Sequence, residues 1–279
     1  MKKSKLIPIR VGHSPDPDDA FMFYALAHEK IDMRGFRVEH VIEDIESLNQ
    51  RALGGELEVT AVSCHAYAYL ADKYIVMRSG ASVGDKYGPI LVRCKNKKEV
   101  VGRKKIAIPG KLTTAYLTLQ LCEKDFTPVF VPFDQIFETL KSGEADLGLV
   151  IHEGQITHTE HGFEKVLDLG EWWYEKTQLP LPLGIDIIRR DLGPEMITAF
   201  AKLFKESIEY ALKHRAESLE YASQFGRGIS ESLNDRFVAM YVNDRTLDIG
   251  KDGEAGFHRL MDEAYQHRII PERVNLEFM

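Results

Sequence analysis

The chain has 279 residues, 44% of them hydrophobic and 28% charged, which is enough for two medium domains with cores of their own and leaves no long polar tract to stay unfolded. A formal net charge of -7 at pH 7 and an isoelectric point near 5.8 offer no basic footprint for a phosphate backbone, so no nucleic-acid partner is expected and a small molecule is. Three cysteines, Cys64, Cys94 and Cys122, without C-x-x-C spacing, point to neither a disulfide framework nor a thiolate metal site.

The amino terminus is basic, but Pro8 and Arg10 break its apolar run too early for an export signal. No apolar stretch approaches the roughly 20 residues a membrane helix needs. The expected setting is the cytoplasm, with no membrane partner and reduced thiols.

Residues 7–11 read as a strand, followed by the turn G-H-S-P-D-P-D-D and an apolar helix over 20–27. Asp16 suits the N-cap, Pro17 the first helical position, and Asp18 and Asp19 complement the positive end of the helix dipole. Three carboxylates there repel an anion, so this turn should face a hydroxyl-bearing or cationic part of a ligand; without other hard donors they make a poor metal site. Residues 36–41 form a second strand, 45–53 a helix stopped by Gly54 and Gly55, 58–62 a third strand ending at Ser63-Cys64-His65, and 66–70 a short helix.

The same order then returns. Residues 105–108 read as a strand, and 113–122 as a helix whose start, with Thr113 and Thr114, can hold an anion; Thr113 suits a simple cap equally well. Residues 129–131 are a strand, 133–141 a helix stopped by Gly143, and 147–151 a buried apolar strand that halts at His152 and Glu153. A-L-G-G-E-L-E-V-T-A-V-S-C-H at 52–65 matches L-K-S-G-E-A-D-L-G-L-V-I-H-E at 140–153, a diverged repeat that sets Cys64 opposite His152. Each half ends in a similar strand running into charge, 88–93 and 184–190, and beyond Asp191 the pattern is helical at 194–213, 216–225, 230–241 and 254–267. The expected fold is α/β and two-lobed, each lobe a mixed, mostly parallel sheet flanked by helices with a ligand cleft between them; lobe I takes 1–93 plus 190–279 and lobe II 94–189.

Ligands of open α/β sheets bind beyond the carboxyl ends of the strands. Four loops should therefore converge, 13–19, 62–65, 110–114 and 152–155. His152 is the candidate general base, because imidazole exchanges a proton near neutrality; Glu153 either orients it or is a helix-start carboxylate. His158 and His161 lack an H-E-x-x-H context, so no metal is expected, and G-A-S-V-G-D-K at 80–86 lacks the spacing of a nucleotide loop. Trp172, Trp173 and Tyr174 read as a stacking platform or, alternatively, as packing under a loop.

The converging loops also carry a family resemblance. G-H-S-P-D-P-D-D-A-F-M-F-Y-A-L, V-S-C-H-A-Y-A, P-G-K-L-T-T-A-Y-L and L-V-I-H-E, with D-L-G-E-W-W and L-P-L-P-L-G-I-D-I-I-R-R-D-L, resemble the 1,4-dihydroxy-6-naphthoate synthase family of the futalosine route to menaquinone, over nearly the whole chain. The resemblance implies a type II periplasmic-binding-protein fold. It also implies a lyase that cleaves cyclic dehypoxanthinyl futalosine, a carboxylated small molecule, to the dihydroxynaphthoate and dihydroxyacetone without metal or organic cofactor. Carried over by position, it implies His152 as proton acceptor, Thr113, Thr114, Val62, Ser63 and Cys64 as substrate contacts, and Ser14, Asp18 and Asp19 as lining of the same cleft.

The chain departs from the family pattern within the site. The usual S-P-C-P-N-D-T-F is here S-P-D-P-D-D-A-F, changing Asp18 and Ala20 among others, and the usual S-Y is Ser63-Cys64. Asparagine to aspartate turns a donor and acceptor into a charged acceptor, and losing a tyrosine removes a ring and a hydroxyl. Two further readings stay open on these grounds: a sister enzyme acting on a related acid, and a non-catalytic solute-binding protein for a small carboxylic acid.

Overall fold

Strand–helix–strand order forces parallel pairing through a crossover, and the chain uses it twice. The structure, a computed structural model, describes residues 6–95, 97, 102–226 and 230–279. In the first half the elements are β1 (Ile7–His13), α1 (Pro17–Ala27), β2 (Phe36–Ile42), α2 (Ile45–Leu53), β3 (Val59–Ser63), α3 (Cys64–Tyr67), β4 (Tyr74–Val76) and β5 (Ser82–Gly84). The second half holds β6 (Ile90–Cys94), β7 (Lys104–Ile108), α4 (Thr114–Cys122), β8 (Phe126–Phe130), α5 (Ile136–Ser142), β9 (Leu147–Val150), α6 (Gly154–Thr157) and β10 (Phe163–Asp168). Then follow α7 (Leu169–Thr177), β11 (Leu181–Arg189), α8 (Pro194–Lys213), α9 (Arg215–Ser223), α10 (Glu231–Tyr241), α11 (Asp244–Leu247) and α12 (Gly250–Gln266).

The first sheet runs β2-β1-β3-β11-β4, with β5 also on β11; the second runs β10-β6-β9-β7-β8. In the first, β1 is parallel to β2 and β3, and β11 is antiparallel to β3. In the second, β7 is parallel to β8 and β9, and β6 is antiparallel to β9. The cores β2-β1-β3-β11 and β8-β7-β9-β6 are thus one arrangement used twice, as the matched strings at 52–65 and 140–153 lead one to expect.

The two crossing strands lie on the far side of the boundaries read from the sequence. β6, expected to close lobe I, enters the second sheet beside β9, and β11, expected in lobe II, enters the first beside β3. Each of these two strands therefore completes the sheet opposite to its expected lobe, and the chain passes between lobes twice in this region. Among the described residues, three short strands, β4, β5 and β10, and three helices, α6, α7 and α11, have no counterpart in the sequence reading. β4 and β5 have three residues each, too few for a period to register, and β10 carries the charged pattern F-E-K-V-L-D. α7 opens at Asp168, whose side chain accepts the Gly170 and Glu171 N–H groups. The helix expected over 66–70 is a single turn at Cys64–Tyr67.

Ten of the eleven residues of α1 are buried, so it has no solvent face: the first sheet covers one side and α8, α9 and α10 the other. Phe21, Phe23, Phe200, Phe204 and Ile208 fill that layer with Ile9 and Val11 of β1. On the opposite face of the sheet, Tyr67, Phe257 and Leu260 pack with Leu117 and Leu121 of α4 and Trp173 of α7, an apolar seam that ties the lobes together behind the cleft. Trp173 is fully buried and donates from Nε1 to the Pro180 carbonyl at 3.1 Å, while Lys176 and Lys86 cover the rings of Trp172 and Tyr174. Packing, not ligand stacking, accounts for this aromatic run. Among the described residues no helix is long and apolar enough to cross a membrane.

Candidate active site

A cleft enclosing about 740 Å³, mouth included, lies where β1, β3 and β9 end. Its lining brings together Ser14, Asp18 and Asp19, then Val62 and Ser63, Thr113 and Thr114, and His152, residues spread over the four loops expected to meet. Convergence follows from the duplicated topology: the carboxyl ends of both parallel sheets face one gap.

His152 follows the buried strand β9 with φ +57, a left-handed conformation that costs a non-glycine residue about 1 kcal/mol. The turn directs the ring across the gap, where Nδ1 donates to Asp16 Oδ2 at 2.8 Å, with 16% of the His152 side chain and 2% of the Asp16 side chain exposed. Nε2 is left for a ligand. Burial opposes charge on this ring, but Asp16 at contact distance, with Glu153 and Asp18 behind it, outweighs burial and raises His152 to about 9. Phe133 meets the imidazole edge-on at 5.0 Å and helps fix its plane.

Asp16 is the principal revision of the sequence reading. Its backbone occupies the N-cap position of α1, yet its side chain makes no capping bond. Oδ2 instead accepts the Ser14 hydroxyl at 2.6 Å and the His152 N–H, joining the lobes across the cleft. Asp19 Oδ2 accepts the Ser14 N–H at 2.6 Å; burial pushes Asp19 up, that bond pulls it back, and it rests at about 6. For Asp18 the same kind of relief, the Asp19 N–H and the charge of His152, is outweighed: burial and the negative neighbours Asp19 and Asp16 hold its carboxyl well above the usual carboxylate range.

On the opposite wall Thr113 takes the capping role, one of the two readings its position allows. Thr113 Oγ1 caps α4 by accepting the Tyr116 N–H at 3.2 Å and donates to the Gly110 carbonyl at 3.0 Å. Thr114 Oγ1 donates to the Leu183 carbonyl of β11 at 2.6 Å and accepts the His65 N–H at 3.3 Å. Both hydroxyls are engaged within the protein, so what this wall offers a ligand is the first turn of α4 itself. Ser63 is set by Asn49, which donates to its hydroxyl at 3.1 Å and accepts its N–H at 2.9 Å.

Two expected residues stay out of the cleft. Cys64 is fully buried in the seam behind it, its thiol against the Thr114 hydroxyl, and burial pushes that thiol far up, so it is an inert core residue. Glu153 precedes α6 without a side-chain capping bond and acts on His152 through its charge. His13 turns away as well: it stacks on Phe23, meets His40 at 3.1 Å, and burial lowers it to about 4. His158 contacts the Gln155 carbonyl at 3.0 Å and His161 lies against Phe137, so neither is part of the cleft.

Gln155, the last residue of the expected loop 152–155, accepts the Tyr241 hydroxyl of α10 at 2.7 Å, a second bond across the gap; Tyr241 and the residues that follow are ones the sequence reading missed. Gly80, Ser82 and Phe237 line it too, as does Asp186 from the middle of β11. Asp186 had a visible signal, a lone carboxylate inside the apolar run G-I-D-I-I, where an unpaired charge is costly.

Comparisons with known proteins agree on fold and family. A family model described as menaquinone biosynthesis matches residues 9–266. A 1,4-dihydroxy-6-naphthoate synthase from Thermus thermophilus is 41% identical over 256 residues, covering 92% of this chain and 93% of that protein. A crystal structure of an Archaeoglobus fulgidus protein superposes with a TM-score of 0.90 at 48% identity, covering 94% of this chain and 98% of that one. A Candida albicans gene product described as having the generic periplasmic binding protein fold gives a TM-score of 0.67 at 13% identity, over 98% of each chain. At that identity the likeness speaks for the fold alone, and the two-lobed α/β architecture is of that kind.

Proposed function

The chain belongs to the menaquinone-biosynthesis family, and from that premise we propose that it is a carbon–carbon lyase converting cyclic dehypoxanthinyl futalosine to 1,4-dihydroxy-6-naphthoate and dihydroxyacetone, with His152 as general base. The observation that carries this reading is the Asp16–His152 pair at the end of β9, facing the cleft between the lobes. Asp16 holds Nδ1, so Nε2 is the nitrogen that takes the substrate proton, the step that starts bond cleavage and aromatisation of the ring.

The substrate carboxylate belongs against the first turn of α4, where the helix start favours an anion. Its ring lies on Ile151, Leu183, Ile185 and Phe237, the apolar part of the lining. The oxygen-rich end that leaves as dihydroxyacetone faces Asp18, Asp19 and Asp186, a wall without lysine or arginine. Closure of the lobes through Asp16–His152 and Gln155–Tyr241 excludes water during the reaction. The reading needs no metal or organic cofactor and assigns the protein to the cytoplasm.

Its test is incubation of the purified protein with cyclic dehypoxanthinyl futalosine and detection of the naphthoate by mass spectrometry. Turnover by the native chain and a loss of about 100-fold or more in His152→Ala are expected. Tight binding without product indicates a solute-binding protein instead, and product from a related acid alone indicates a sister enzyme. Full turnover by His152→Ala excludes this histidine as the base.

A further inference from the structure

Asp186 stands in the middle of β11, between Ile185 and Ile187, and is 1% exposed. It lines the cleft, and its buried Oδ1 has no hydrogen-bond partner. The side chain lies hard against Gly80: a Cβ on that glycine would come within 2.2 Å of Asp186 Oδ2 and 2.6 Å of Phe204. Gly80 has φ +95, so both the conformation and the contact require glycine there.

Among the described residues no positive charge compensates this carboxyl. Opposite it in the sheet is Ala61 of β3, the Met77 N–H bonds its backbone carbonyl beyond β4, and Phe204 of α8 packs on the same glycine. The lining of the cleft contains no lysine or arginine, and its single imidazole is engaged with Asp16. The charged groups that act on Asp186 are Asp19 and Asp18 of α1, both of its own sign. A buried ionised carboxylate without partner or cation costs several kcal/mol, whereas a carboxylic acid needs only an acceptor for its hydrogen.

We propose that Asp186 contacts the substrate and donates its hydroxyl hydrogen to an uncharged oxygen, hydroxyl or carbonyl, at the end of the substrate remote from the carboxylate. Burial first, then Asp19 and Asp18, hold this carboxyl well above the usual carboxylate range, in agreement with the donor role. With Asp18 held above the usual carboxylate range and Asp16 balanced by His152, the wall retains the negative charge of Asp19, which turns away an anion and accepts a polyol or ketol. An acid kept neutral by an apolar site and used as a donor is an established catalytic device. The assignment rests on the lyase reading for the identity of the oxygen, dihydroxyacetone's, but not for the protonation state.

Two measurements separate those parts. Infrared difference spectra of the ligand-free native protein against Asp186→Asn should contain a carboxylic-acid carbonyl band that the variant lacks at pH 7; its absence overturns the proposal whatever the substrate. In steady-state turnover of cyclic dehypoxanthinyl futalosine, Asp186→Asn, which still donates, should stay within about threefold of the native kcat/KM, while Asp186→Ala and Asp186→Leu fall about 10- to 100-fold with unchanged circular dichroism. Native kcat/KM in Asp186→Ala, or equal losses in Asn and Ala variants, overturns the donor role. Should the native protein not turn over this substrate, the lyase reading fails, and dihydroxyacetone binding by calorimetry replaces the kinetic arm: binding lost in Asp186→Ala and kept in Asp186→Asn supports the subsite, and equal binding in all three removes it.

Discussion

Asp16→Asn isolates the force that sets the protonation of His152. Burial disfavours the imidazolium, and the carboxylate 2.8 Å from Nδ1 reverses that preference, leaving the ring near 9 against an ordinary 6.5. The net difference corresponds to about 3 kcal/mol, and because burial works against it the contribution of Asp16 itself exceeds that figure. Asparagine keeps a hydrogen-bonding group at nearly the same volume and removes the charge, so the ring should titrate at or below its ordinary value. NMR of the histidine ring nitrogens, assigned with His152→Gln, reads this directly. Activity should follow: only about 1% of native rings are neutral at pH 7, so kcat/KM should climb with pH toward about 9, and in Asp16→Asn that limb should move down by about two units or more. Stability gives an independent sign. The folded value lies above the unfolded one, so the pair's contribution is full below about 6.5 and is lost as pH rises through about 9. Urea unfolding of the native protein and Asp16→Asn should therefore differ most near pH 6 and converge above about pH 9. A His152 ring that still titrates near 9 in Asp16→Asn would refute the account of the pair.

Trp173→Ala should destabilise the fold by about 3–5 kcal/mol in urea unfolding, because the ring fills the seam between α4, α7 and α12 and leaves both a cavity and an orphaned Pro180 carbonyl. Thr113→Ala should cost about 1 kcal/mol while Thr113→Ser costs little, since the hydroxyl is a cap on the Tyr116 N–H; a large rise in KM for Thr113→Ser at native stability would instead speak for direct substrate contact. Asp18 is raised by burial and by Asp19 and Asp16, so the folded chain holds this proton more tightly than the unfolded one and loses stability as pH rises from the ordinary carboxylate value toward the raised one. Asp18→Asn should flatten that decline above the ordinary carboxylate range in thermal unfolding, and an unchanged slope would show that Asp18 is ionised throughout.

Much of the architecture follows from local pattern. The buried run ending at His152, the Asp-Pro helix start after β1 and the glycine stops at Gly54, Gly55 and Gly143 are signals carried by neighbouring residues, and the structure has a strand or helix boundary at each. The duplication at 52–65 and 140–153 announces two similar sheets, and the rule for strand ends then brings His152, Ser63 and the α4 start into one gap.

What local pattern could not decide is every choice between near-equal partners distant along the chain. β6 and β11 are similar strands facing similar edges, β3 and β9, so nothing in their own residues says which sheet each completes; the passage of the chain between lobes does. Asp16 can cap its own helix or bind an imidazole 136 positions away, Thr114 can serve a ligand or the Leu183 carbonyl, and Cys64 can face the cleft or the core. In each case the local option is worth about 1 kcal/mol, and the competing tertiary contact exists only once the two lobes have met. Most strands, helices and turns were therefore written in the sequence, whereas the partner of each polar side chain in the cleft, and with it the charge of His152 and the isolation of Asp186, was settled by the packing of one lobe against the other.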